Sequence, residues 1–223
     1  MSEVVDIRAQ LVKWGKRLVE KGLVVAAGGN ISARVGDTMF ISPSGYSISE
    51  ATEEDYVPVE ISTGKILDNF PLKPSSEVLM HLRCYRVRSD IRAIVHVHPP
   101  LLVGIISAGE MIQPFTPDAV ALLGKPAILD YILPTTDELA RAVEEKVKHS
   151  DVILLRNHGV VTVGANLREA CYKAEVAEDT AKSLLAAKIS GVLRLFTEEE
   201  LDAIKGLSSE QYRLEIMRKM QEA

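Results

Sequence analysis

The chain is poor in several residue types, and each shortage excludes something. Of its 223 residues, two are cysteine, Cys84 and Cys171. That number builds neither a disulfide framework nor a four-thiolate metal site and suits a reducing compartment. Aromatic residues make up 5%, with a single tryptophan, and no basic-aromatic cluster occurs, so base-stacking platforms are not expected. Positive charge is in deficit: 26 Lys and Arg against 31 Asp and Glu leave a net charge of -5, which argues against a nucleic-acid surface. No apolar run reaches the length of a membrane span, and the first residues lack the basic start and apolar core of a signal peptide. The expectation is a soluble cytoplasmic protein that meets neither nucleic acid nor membrane. The phosphate-loop signature Gly-x-x-x-x-Gly-Lys-Ser/Thr, the dinucleotide fingerprint Gly-x-Gly-x-x-Gly and the Gly-x-Ser-x-Gly nucleophile elbow are all missing, so nucleotide binding by those routes and serine hydrolysis are not indicated.

Histidine is also scarce, five in all, which makes its placement informative. Residues 91–97, Ile-Arg-Ala-Ile-Val-His-Val, read as a buried strand, closed by Pro99 and Pro100. His96 and His98 are two apart, so a strand sends both imidazoles to one face. His158 stands in Asn157-His158-Gly159, between two apolar runs that read as strands. Packing alone explains such a histidine poorly. Three imidazoles with an open position form a common catalytic zinc arrangement.

Other segments supply groups for such a centre. Ala27–Ser32 and Pro43–Tyr46 are glycine- and serine-bearing corners whose N–H groups suit an anion, although a tight turn accounts for either one alone. In Lys73-Pro-Ser-Ser-Glu77 a helix is expected to open with Ser75 as N-cap, Ser76 and Glu77 in its first turn, and an end near residue 88. Glu77 and His81 then share a helical face. His81 is a fourth ligand, a neighbour of the ligands or an ordinary helix residue. His149 falls at a helix end and is assigned no site.

Elsewhere the periodicity predicts helices over 6–21, 101–108, 137–148 (opened by a Thr135–Glu138 capping box), 166–190, 197–205 and 209–220. Strands are expected over 38–42, 56–61 and 127–131, with a strand and a short helix inside 110–123. Several strands follow one another through tight turns. The expected architecture is α/β: one domain over 1–223, with a central mixed, mostly antiparallel sheet flanked by helices. The residues point to a metal enzyme acting on a small phosphorylated or carboxylated substrate. The rival is a metal-stabilised binding or structural protein.

Gly29-Asn30-x-Ser32, Ser42-Pro-Ser-Gly45, Pro74-Ser-Ser-Glu77, His96-x-His98-Pro and Asn157-His-Gly159 together resemble the class II aldolase/adducin family, in character its L-fuculose-1-phosphate aldolases. The resemblance covers nearly the whole chain. It implies the three-layer fold and a zinc ion held by His96, His98 and His158. It also implies Glu77 as the catalytic carboxylate and phosphate contacts from Gly29, Asn30, Ser44, Gly45, Ser75 and Ser76. The implied assembly is a homotetramer with active sites between subunits, and the implied reaction cleaves a ketose 1-phosphate to dihydroxyacetone phosphate and an aldehyde such as lactaldehyde. Tyr212 matches an aldolase tyrosine that reaches a neighbouring subunit. The tyrosine that protonates the departing aldehyde has no evident counterpart over Phe115–Asp118, leaving Asp118 or Tyr131 as substitutes. Related sugar-phosphate 4-epimerases carry aspartate at the Glu77 position. Ketose-1-phosphate dehydratases, phosphorylated keto-acid decarboxylases and non-enzymatic adducin-like binding proteins are the other expectations this resemblance leaves open.

Overall fold

A computed structural model of the chain describes residues 2–219. Its first helix, α1 (Ser2–Glu20), buries Ile7, Leu11, Trp14 and Leu18 on one face, the three-and-four spacing of an amphipathic helix. Gly22, at φ +73°, ends it: its N–H reaches the Val19 carbonyl and that of Leu23 the Leu18 carbonyl, a left-handed C-terminal cap. Strands β1 (Asn30–Val35), β2 (Thr38–Ile41) and β3 (Val57–Glu60) follow. Then come α2 (Val78–Val87), β4 (Ala93–Val97), α3 (Pro100–Ser107), α4 (Pro117–Leu123), β5 (Ala127–Leu129) and α5 (Asp137–Val147). The hairpin β6 (Val152–Leu155) and β7 (Gly159–Gly164) leads into the long α6 (Leu167–Ser190), α7 (Glu198–Lys205) and α8 (Ser208–Lys219). Met220, expected in the last helix, lies outside the described residues.

The strands form one sheet in the order β3-β2-β1-β4-β7-β6-β5. Every pairing is antiparallel except β5 with β6, so the mixed, mostly antiparallel α/β domain expected from the tight turns is the one observed. Side chains alternate across the sheet. Val95, Val97, Ile31 and Val160 pack with α1, α3, α4 and α6, while Ile94, Val161, Val163 and Ile153 pack with α2 and α5. Strands β4 and β7 are buried at every position, because helices cover both faces, and their sequences are accordingly apolar apart from His96 and Thr162. Ala170, Ala174, Ala177 and Ala181 line the buried face of α6; without bulky side chains they let that helix lie close to its neighbours. Among the described residues no helix is long and apolar enough to cross a membrane.

Three local expectations need correction. No strand forms between residues 110 and 116. Pro117 occupies the first turn of α4 and forces Thr116 into an extended conformation, where its side chain accepts from Ala119 N–H. The cap of α5 is Thr136, not Thr135, whose φ is +67°. Helix α2 opens at Val78, with Glu77 at its cap position and no side-chain capping bond. Ser75 is therefore not the N-cap. Pro43 and Pro74 form an antiparallel bridge, and Ser75 N–H donates to the Ser42 carbonyl at 3.0 Å. That pairing holds 74–75 extended and delays the helix.

Candidate metal centre

His96 sits in β4, wholly buried, opposite Asn30 of β1 and Val161 of β7. His98 lies one residue beyond the strand, its N–H bonded to the Leu23 carbonyl at 3.1 Å. His158 lies in the three-residue turn between β6 and β7. Asn157 takes the left-handed conformation there (φ +57°), and its N–H donates to Ser107 Oγ at 2.8 Å. These backbone anchors bring three imidazoles from two chain segments together. His96 Nε2 is 3.0 Å from His98 Nε2 and 3.2 Å from His158 Nε2, and the three residues form a cluster with metal-ligand geometry. His96 Nδ1 lies 3.1 Å from the Val160 carbonyl, so the proton belongs on Nδ1 and the Nε2 lone pair faces its neighbours. Burial pushes His98 and His158 down to about 4, and the nearby His96 adds to the effect. They are neutral near pH 7, as metal ligation requires.

A divalent ion fits this arrangement. Three Nε2 atoms converging without an intervening cation repel one another. Glu77 Oε1 and His158 Nδ1 are buried with no hydrogen-bond partner among the described residues. The backbone around the cluster is stripped of side chains. A Cβ on Gly159 would lie 2.4 Å from the Val97 carbonyl oxygen and 2.7 Å from the His98 ring, and one on Gly28 would lie 3.2 Å from His98 Nδ1. Gly159 stands in the Asn157-His158-Gly159 turn signal, and Gly28 has only its pairing with Gly29 to mark it in the sequence. Gly29, at φ +67°, would place a Cβ 2.9 Å from the His96 carbonyl oxygen, so glycine is required there whether or not an anion binds.

Glu77 reaches the cluster from the start of α2. Its Oε2 is 3.1 Å from His96 Nε2, and its Oε1 is 3.6 Å from His158 Nε2. Burial raises this carboxyl, but positive charge at the histidine cluster, at His96 first, together with the Asn30 amide outweighs it and pulls the group well below the usual carboxylate range. Glu77 is therefore held ionised. Proton donation by Glu77 would call for a raised carboxyl; the direction here is the opposite. His81 is no ligand: its Nε2 meets Asn30 Oδ1 at 2.6 Å and its Nδ1 meets Ser32 Oγ at 2.7 Å.

The prolines after His98 do more than end a strand. Pro99 is the N-cap of α3 and Pro100 its first residue. The next two N–H groups, of Leu101 and Leu102, donate to Glu178 of α6 at 3.4 and 2.8 Å. A buried carboxylate thus caps the helix that leaves the cluster. Glu178→Ala leaves both donors unsatisfied and should cost about 1–3 kcal/mol, read as a lowered Tm.

The other sequence candidates fall at varying distances. The 42–45 turn and the 73–76 segment are stitched together, with Ser44 N–H donating to the Lys73 carbonyl at 3.0 Å. Ser44, Gly45 and Ser76 are exposed and Ser75 is buried. The Asn30 amide is engaged by Glu77 at 2.8 Å rather than open to solvent. Tyr131 is exposed and follows β5, whose end pairs with Leu155 beside the His158 turn. Asp118 is paired with Arg213. Tyr212, 64% exposed, is not brought to the cluster: the last turns of α8 meet Asn166, beyond the end of β7 opposite His158. A cavity of about 500 Å³ lined in part by Arg88, Asp151, Glu169 and Lys173 also lies at that far end, and these four side chains are already paired with one another.

Residues 9–185 match the model of the class II aldolase and adducin N-terminal domain. An L-fuculose phosphate aldolase from Methanococcus maripaludis is 35% identical over 78% of this chain and 93% of its own length. A 3-oxo-tetronate 4-phosphate decarboxylase from Haemophilus influenzae is 31% identical over 77% of this chain and 83% of its own. A solved structure of an L-fuculose 1-phosphate aldolase superposes with a TM-score of 0.83 at 31% identity, covering 93% of this chain and 96% of that one.

Proposed function

Because the chain belongs to the class II aldolase and adducin family, we propose that it is a zinc-dependent aldehyde-lyase. Its substrate is a ketose 1-phosphate of the L-fuculose 1-phosphate type, cleaved to dihydroxyacetone phosphate and a short aldehyde such as lactaldehyde. The observation that carries this reading is Glu77 Oε2 at 3.1 Å from His96 Nε2 in a buried cluster of three converging imidazoles. The relatives named as fuculose phosphate aldolases support the substrate class.

His96, His98 and His158 would hold the ion, which supplies Lewis acidity toward a carbonyl oxygen and stabilises charge as it develops there. Cleavage breaks the bond between carbons three and four. The hydroxyl proton on carbon four passes to solvent as that carbon becomes an aldehyde. The electron pair stays on the ketose fragment, at carbon three and its adjoining carbonyl. Carbon three then takes a proton, which Glu77 delivers after taking one up from solvent; in the condensation direction the Glu77 carboxylate removes it again. Gly29, Asn30, Ser44, Gly45, Ser75 and Ser76 form the phosphate site in this reading, supported by the bridge between Pro43 and Pro74 that joins two of the three segments. Tyr212, exposed on its own chain, serves a neighbouring subunit of a homotetramer.

A second reading rests on the Haemophilus relative. Loss of carbon dioxide from a phosphorylated keto acid leaves an electron pair in the same position, so the same residues suit a decarboxylase. A substrate panel separates the two. The zinc-loaded protein should release dihydroxyacetone phosphate from a ketose 1-phosphate. Carbon dioxide release from a phosphorylated keto acid instead would favour the decarboxylase, and isomerised pentose 5-phosphate an epimerase. Chelation should abolish turnover and leave the far-ultraviolet circular dichroism unchanged, because the two hydrophobic cores do not include the ligands; added zinc should restore the activity. Bound zinc with no turnover on any of these substrates would sink the enzymatic reading.

A further inference from the structure

Helix α2 lays a polar seam along one face of the sheet. Glu77, His81 and Tyr85 are four residues apart and share a face. Asn30 and Ser32 are two apart in β1 and share the sheet face below. Four helical residues rise about 6 Å and two strand residues about 6.6 Å, so the two series stay in step. All five side chains are buried, none more than 7% exposed. Their contacts run unbroken: Glu77 Oε2 to Asn30 Nδ2 at 2.8 Å, Asn30 Oδ1 to His81 Nε2 at 2.6 Å, His81 Nδ1 to Ser32 Oγ at 2.7 Å and Ser32 Oγ to Tyr85 Oη at 2.9 Å.

One end fixes the direction of every bond. A carboxylate only accepts, so Asn30 turns its NH₂ to Glu77 and its oxygen to His81. His81 Nε2 must then carry a proton. A neutral imidazole has one N–H, so Nδ1 accepts, Ser32 donates to it, and Tyr85 donates to Ser32. Burial keeps His81 neutral, pushing it down to about 3. We propose that His81 is a positioning residue: as the Nε2–H tautomer it holds the Asn30 amide with its NH₂ toward Glu77 and so fixes the carboxylate against the histidine cluster. The functional consequence rests on Glu77 being the group that moves the proton, but the hydrogen-bond wiring does not.

The test has a spectroscopic and a kinetic arm. Nitrogen-15 histidine spectra of the metal-loaded protein, with His81→Phe to assign the resonance, should show His81 neutral and protonated at Nε2. An Nδ1–H tautomer or a charged ring would overturn the proposal. His81→Phe should lower kcat about 10–100-fold, with KM and metal content unchanged. His81→Gln, whose terminal NH₂ can occupy the place of Nε2–H, should recover most of the loss. Ser32→Ala removes the donor that holds the ring at Nδ1 and should lower kcat in the same direction; it also serves if His81→Phe fails to fold. Wild-type kcat in either His81→Phe or Ser32→Ala, or no recovery in His81→Gln, would overturn the proposal. A fully active Glu77→Gln alongside an Nε2–H His81 would instead defeat the role given to Glu77 and leave the wiring standing.

Discussion

Glu77→Gln should leave the metal bound and the fold intact while turnover falls by about 10²–10⁴-fold. Glutamine keeps the volume and one acceptor oxygen, so the Asn30 amide retains its partner. The three imidazoles keep their backbone anchors at Leu23, Val160 and Ser107, none of which involves residue 77. What disappears is the only carboxylate within 4 Å of the histidine Nε2 atoms among the described residues, and with it the base that exchanges a proton with substrate carbon. Zinc content by metal analysis, Tm, and dihydroxyacetone phosphate release under saturating substrate form the measurement. His158→Ala is the contrasting variant: it should lose both metal and turnover. Full activity in Glu77→Gln would remove Glu77 from the chemistry.

Much of this centre is legible in the sequence, for physical reasons that also explain what is not. The two-residue period of a strand puts His96 and His98 on one side, and the glycine after His158 announces a turn at a strand end. Those signals are local. The start of α2 is not local, because Ser75 and Ser76 are good capping residues whose fate is decided by Pro74 pairing with Pro43, thirty-one positions earlier. The region 110–116 reads as a possible strand only if Pro117 is ignored; its ring fixes the helix start and holds Thr116 extended. His81 stays ambiguous in sequence because its partners, Asn30 and Ser32, come from β1. Their match to α2 depends on the rise of a helix against that of a strand, which becomes visible only once the two are packed. Likewise the burial of Lys173 in α6 depends on Asp151, which only the packed fold brings against it, beside Glu169 one helical turn away.

Gly159→Ala should damage the metal site more than any other single-methyl change. The added Cβ would stand 2.4 Å from the Val97 carbonyl oxygen and 2.7 Å from His98 Cδ2, with His96 Cε1 at 3.3 Å. The carbonyl belongs to the last residue of β4, whose partner in β7 is Val160, so it cannot withdraw without splaying two central strands. The His98 ring has little room to turn aside, because the Gly28 backbone lies near its other edge, close enough that a Cβ there would stand 3.2 Å from Nδ1. Overpacking of this kind costs about 1–3 kcal/mol, and the displaced imidazole should weaken metal affinity about 10–100-fold, the scale seen when groups that orient ligands are disturbed. Gly45→Ala separates this effect from an ordinary glycine penalty. Gly45 has nothing within 4 Å of a Cβ but a φ of +82°, so alanine there should cost roughly 1–2 kcal/mol through backbone conformation and leave metal affinity untouched. Thermal unfolding and a competitive zinc titration on both variants give the comparison. Equal metal affinity in the two would mean that the imidazoles can relax around the new methyl, and that the bare backbone beside His98 is not what holds the cluster in place.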